Sequence, residues 1–248
     1  MEKYFTFSSF SRFQEIVHGI SNRSYGDMRF GTISDEEVVK NRRTFLNELG
    51  INLADVVNPA LSHGVKINQV GLDDKGKGSD DPKTRLPGTD GLITTETGVY
   101  LMVTVADCLP ILIYDPVLKI VSVVHAGWRG IISQIASHTI EKFKSLGSEP
   151  GNLIIGIGPG ICQKHFVVKK PVLDSFLDCY PQASFVRNQH GYVDLKTALK
   201  KDFKHLGISG SNMEISHICP ACDNGLYGSY RKEGKGAPAQ AAVIGIKK

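Results

Sequence analysis

Between Val99 and Val124 the chain passes through three short apolar runs rich in β-branched residues, VYLMVTVA, ILIY and IVSVV, broken by Asp107, Asp115 and Pro116. Runs this short, with so little polar alternation, predict central strands buried in a sheet. The period then changes. Ile131, Ile132, Ile135, Ala136, Ile140, Phe143 and Leu146 recur at helical spacing up to Gly147, which predicts one long helix lying on that sheet. Upstream, Ser34 followed by Glu37 forms a capping box ahead of Val38, Val39, Phe45, Leu46 and Leu49, with Gly50 as the stop, so a helix is expected over 35–49. LIIGIG from Leu153 reads as a further strand, 171–180 and 195–206 as helices, and the closing AAVIGI as a last strand. The polar, Gly/Pro-punctuated stretch 71–91 is the exception, a long loop expected to be mobile or to form a binding rim. With no repeat period and no linker, residues 1–248 are expected to form a single α/β layered domain.

Composition narrows the classes. A chain of 248 residues with 41% hydrophobic and 22% charged positions is neither disordered nor fibrous and is long enough for a substantial core. No apolar stretch approaches the roughly 20 residues of a membrane helix. The amino terminus lacks the pattern of a signal peptide, so a cytoplasmic protein is expected. Five cysteines, an odd number, fit reduced thiols or a metal site better than a disulfide framework. The net charge of +4 arises from 29 basic and 25 acidic residues mixed along the chain. Nothing resembles a nucleic-acid footprint, and the clusters at Lys40–Arg43, Lys200–Lys204 and Lys247–Lys248 read as solvated helix faces or a tail.

Cys108 follows one predicted strand and His125 ends another, so two neighbouring strands would present a thiol and an imidazole at one sheet edge. Both suit zinc, and a catalytic zinc takes three protein ligands and leaves one position open. His63, beside Gly64 and before the next strand, is the best third ligand. The alternative is a buried core thiol and a hydrogen-bonded strand-end histidine. Asp107 directly precedes Cys108, and HAGWRG places Trp128 and Arg129 just beyond His125, where Arg129 is suited to clamping an anion and Trp128 to stacking or to core packing. Cys219 and Cys222 form one CxxC; with no second pair in the sequence, it reads as structural or incidental. IGIGPGI at 155–161 lacks the GxGxxG spacing, and Pro159 removes a backbone donor, so no nucleotide cofactor is indicated.

Taken together and in order, HGISNR, NRRTFLNELG, TDGLIT, ADCLPILIYDP, HAGWRG, IGPGI and YGSYRKEGKGAPAQAAVIGI resemble the YfiH-type family, which includes laccase-domain (multicopper polyphenol oxidoreductase) proteins, purine nucleoside phosphorylases and peptidoglycan editing factors. The resemblance implies an α/β sandwich with a mixed sheet, and a zinc held by His63, Cys108 and His125. It also implies phosphorolysis of adenosine, inosine, guanosine or methylthioadenosine and deamination of adenosine. Purine nucleoside and phosphate would be its small-molecule partners, with no membrane or obligate protein partner. Arg23 matches the arginine of the opening motif, a candidate substrate contact. Asp107 is a candidate for orienting a ligand or shuttling a proton, and Arg129 for holding phosphate. Tyr25, Leu61 and Val167 depart from the family pattern. Two other chemistries stand beside this one: a cysteine hydrolase with Cys108 as nucleophile and His125 as base, and an editor of peptidoglycan precursors. A copper oxidase fits less well, since the eight histidines include no His-x-His pair.

Overall fold

The computed structural model describes residues 3–248. The apolar runs form two sheets laid face to face. One contains, in order, Ile16–Ile20, Gln240–Ile246, Tyr100–Val105 and Val56–Val57. The other contains Met213–Ile215, Ile154–Ile157, Leu109–Asp115, Ile120–Ala126, Gly91–Thr94 and Ile67–Gln69. The second sheet is mixed: its two outermost pairings are parallel and the inner ones antiparallel. The expected α/β sandwich with a mixed sheet is therefore the observed fold.

The two-fold period of a strand explains why these runs are apolar throughout. Leu112 and Tyr114 pack with Val121, Val123, Leu101, Val103 and Ile244 in the space between the sheets. Their neighbours Ile111 and Ile113 face the other way and join Ile140, Phe143, Leu199 and Phe203 of the helices on the outer side. The far face of the other sheet is covered by the Asp35–Glu48 helix through Phe45 and Leu46 against Met102 and Val243. Ser34 caps that helix by accepting from the Glu37 N–H, and Gly50 at φ +70° ends it, as expected.

Three expectations change. The segment expected as one helix from Ile131 is two, Trp128–Ile132 and Ile135–Ser145, because Gln134 adopts a left-handed φ of +64°. The break is held by Tyr180, whose hydroxyl lies 3.2 Å from the Ile131 carbonyl and accepts a hydrogen bond from Gln134 Nε2. Apolar spacing cannot detect it, since Ile131 and Ile135 stay on the core side of both pieces. Arg42, expected on a solvated helix face, is 1% exposed and donates to the carbonyls of Met28, Gly78 and Ser79 and to Asn58 Oδ1. Those bonds fix the middle of the 71–91 stretch, which is a tied rim rather than a mobile loop. Cys108 and His125 do not follow neighbouring strands of one sheet. Tyr100–Val105 belongs to the other sheet, and the turn at Asp107 carries the chain across.

Candidate functional site

That crossover builds the site. In the antiparallel pairing of Leu109–Asp115 with Ile120–Ala126, Pro110 lies opposite His125, so Cys108 and His125 reach the same end of the sheet. On the next strand Gly91 lies opposite Val124, placing Asp90 beside His125, and the parallel partner Ile67–Gln69 brings His63 to that same end. The ligand atoms of His63, Cys108 and His125 lie within 4.8 Å of one another. The structure thus assembles the trio expected from the sequence.

Asp90, which the sequence reading passed over, organises the cluster. It is 0% exposed and accepts from the backbone N–H groups of His63 (2.8 Å) and Gly64 (2.7 Å) and from Ser62 Oγ (2.6 Å). Its Oδ1 is 3.0 Å from His125 Nδ1. Burial pushes its carboxyl upward, but the bonds from His125, Ser62 and Gly64 outweigh burial and hold it well below the usual carboxylate range. An ionised Asp90 fixes the proton on His125 Nδ1 and leaves Nε2 as the ligand atom. Beside Cys108, burial opposes ionisation while His125 and His63 favour it, so the thiol is shifted down and the His125 imidazole up. His63 itself takes the left-handed turn, at φ +60°, rather than Gly64.

Does a metal fit? One thiolate and two imidazoles, the second oriented by a carboxylate, make a donor set suited to zinc. Gly127 guards the space among them: a Cβ there would meet Cys108 Sγ at 3.1 Å and His63 Cδ2 at 3.4 Å. The residues present fit the group.

The cluster opens into a cavity of about 650 Å³, a size suited to small-molecule binding. Trp128, Phe166, Phe30 and Tyr230 supply aromatic surface, and Arg29, Arg85, Arg129 and Arg231 bring four guanidiniums to its walls. Among the described residues none of these four arginines forms a salt bridge with a carboxylate. Arg129 lies 4.4 Å from the Trp128 ring centroid, which braces its planar head beside the opening. Three of the four were missed in the sequence because Arg29, Arg85 and Arg231 come from segments far apart in the chain. Trp128 serves both readings, half-buried against the core and lining the cavity.

Asp107 lines the cavity at φ +80°. Both its oxygens are engaged, Oδ1 by Ser229 Oγ at 2.8 Å and Oδ2 by the Arg231 N–H at 2.6 Å. Burial raises its carboxyl against those two bonds. Arg23 is not among the lining residues. It forms a 2.7 Å salt bridge with Glu233, which also accepts from the Ser229 N–H and Asn224. Leu61 lines the cavity, Tyr25 donates to Glu48, and Val167 pairs with Tyr192 in a small sheet apart from the sandwich.

The CxxC is not incidental. Cys219 and Cys222 have partners after all: Cys162 and His165 stand with them, all four ligand atoms within 4.8 Å. The signal was present as ICQKH, a Cys-x-x-His.

An α/β sandwich with a Cys/His₂ cluster at one sheet end, opening into an arginine-walled cavity, defines the class of protein. Residues 12–247 match the family described as multi-copper polyphenol oxidoreductase laccase, and the chain belongs to that family. It is similar to a protein named purine nucleoside phosphorylase YlmD from Geobacillus stearothermophilus, with 33% identity over 84% of this chain and 78% of that one. The crystal structure of YlmD superposes over the full length of both chains with a TM-score of 0.93 at 27% identity. A protein from an unknown prokaryotic organism named adenosine deaminase RL5 is 30% identical over 79% of this chain and 77% of its own. The crystal structure of Bacillus licheniformis hypothetical protein YfiH matches with a TM-score of 0.93 and 25% identity, covering 100% of this chain and 97% of that one. The YfiH-type resemblance is borne out. Among the described residues no helix is long and apolar enough to cross a membrane.

Proposed function

We propose that the chain is a zinc-dependent purine nucleoside phosphorylase that also deaminates adenosine. The observation that carries this reading is the juxtaposition, in one cavity, of the Cys/His₂ cluster with four guanidiniums that form no salt bridge among the described residues. The names of the relatives point the same way. Five cysteines, none of them in a disulfide, suit action in the reducing cytoplasm.

His63, Cys108 and His125 would hold a zinc ion, which would supply Lewis acidity when bound. Arg129, assisted by Arg29, Arg85 and Arg231, binds the phosphate dianion and sets it beside the ribose. Trp128 and Phe166 take the faces of the purine and exclude water. A phosphate oxygen then bonds to C1′ as the C1′–N9 bond breaks, the purine leaving with the bonding pair and taking up a proton. In deamination, water adds to C6 of adenosine and ammonia departs. Asp107 is a positioning residue: it ties the turn that presents Cys108 to the backbone of Arg231. Arg23 acts through Glu233, holding the 224–233 segment that carries Tyr230 and Arg231 rather than touching phosphate.

Chromatography of adenosine, inosine, guanosine and methylthioadenosine incubated with zinc-loaded protein, with and without phosphate, tests this. Phosphate-dependent release of free base, with phosphate-independent inosine from adenosine, is expected. No product above a Cys108→Ala control purified in parallel contradicts the reading and favours a cell-wall precursor as substrate.

A further inference from the structure

The second cluster lies at the same end of the mixed sheet. Met213–Ile215 runs parallel to Ile154–Ile157, with Ile215 beside Ile157, so the segments leaving both strands emerge together. One carries Cys162 and His165, the other Cys219 and Cys222. His165 Nδ1 stands 3.5 Å from Cys162 Sγ, 3.4 Å from Cys222 Sγ and 3.8 Å from Cys219 Sγ. Cys162 Sγ and Cys222 Sγ are 3.9 Å apart.

Those separations have a specific meaning. Zinc–sulfur bonds of about 2.3 Å and zinc–nitrogen bonds of about 2.0–2.1 Å, set at tetrahedral angles, place two sulfurs about 3.8 Å apart and sulfur and nitrogen about 3.5–3.6 Å apart. The separations in the structure match that frame, and 3.9 Å is nearly twice a disulfide bond of about 2.0 Å. The Cys162 N–H donates to Cys219 Sγ at 3.2 Å, and Lys196 Nζ holds the approach to Cys219 by bonding the carbonyls of Ser216 and Ile218.

We infer that Cys162, His165, Cys219 and Cys222 form a second, closed zinc site with a structural role. Four protein ligands leave no position for substrate, in contrast to the three-ligand cluster. The site pins the wall of the cavity. The His165 carbonyl accepts from Arg231 Nη1 at 2.5 Å, the Ile161 N–H donates to the Asp107 carbonyl, and Ile161, Phe166 and Arg231 all line the cavity. The inference is independent of the reaction catalysed.

Metal analysis of the Cys108→Ala protein tests it, because only the closed site then remains. One zinc per chain is expected, lost in the Cys108→Ala/Cys219→Ser/Cys222→Ser protein. A second measurement uses the unaltered chain. Cys222 is exposed, so an alkylating reagent reaches it unless a metal holds the sulfur. Its reaction should be about tenfold slower or more before chelation than after, while exposed Cys179 reacts equally in both. Equal reactivity of Cys222 with and without chelator in zinc-saturated protein, a mapped disulfide within the cluster, or iron or copper in place of zinc overturns the inference.

Discussion

The two sulfur–nitrogen clusters share one end of one sheet and differ first in the number of ligands. His63, Cys108 and His125 number three and look into a cavity; Cys162, His165, Cys219 and Cys222 number four and sit behind its wall. Three ligands leave a coordination position for chemistry, and four use the metal as a clasp. The supports differ accordingly. The open cluster is oriented by a buried carboxylate, Asp90, whereas the closed one is braced by backbone N–H and carbonyl groups that cross-link two loops.

The largest effect that separates the two is on turnover. Cys108→Ala should lower kcat/KM by about a thousandfold or more while leaving thermal stability near that of the parent, since the clasp is untouched. A steep fall in Tm instead would show that both clusters are structural. Next, Asp90→Asn should weaken zinc affinity at the open site by about 10- to 100-fold, read by competition with a chelating indicator, because His125 loses the carboxylate that fixes its tautomer. The closed site should hold its metal unchanged. Smaller again, Arg129→Ala should raise KM for phosphate about tenfold with little change in KM for adenosine, measured by varying each in turn.

The smallest effect on activity concerns a group in neither cluster. His18 is buried, accepts from the Phe7 N–H, and is pushed by burial from 6.5 down to about 4 against the opposing pull of Glu214. Between those values the unfolded chain binds the proton and the folded chain does not. Stability is therefore full above about pH 6.5 and falls by about 3 kcal/mol as the pH drops to 4. His18→Gln should flatten that slope in metal-free protein, as followed by denaturant titration. An unchanged slope would place the acid sensitivity elsewhere.

Much of this was legible in the sequence where the signal was local. The apolar strands, the caps of the Asp35–Glu48 helix and the Cys108/His125 pairing all follow from short motifs. What escaped depended on register. The Cys219–Cys222 pair looked to lack partners because Cys162 and His165 lie 57 and 54 residues before Cys219 and meet it only through a parallel strand pairing. Asp90 sat unremarked in TDGLIT because its role comes from lying next to His125 across a strand. Arg42 was read as solvated because helical position alone does not reveal that it satisfies the carbonyls of Met28, 14 residues upstream, and of Gly78 and Ser79, 36 and 37 residues downstream. Arg23 carried the opposite lesson, a matched motif residue whose charge is already taken by Glu233.

The most direct test of the account is ³¹P NMR of zinc-loaded protein turning over adenosine in limiting phosphate, run beside Cys108→Ala. The account predicts that the inorganic phosphate resonance is converted to a sugar phosphate in step with adenine release, and that the variant leaves it untouched. Adenosine consumed with the phosphate resonance unchanged, or equal conversion by Cys108→Ala, would contradict it.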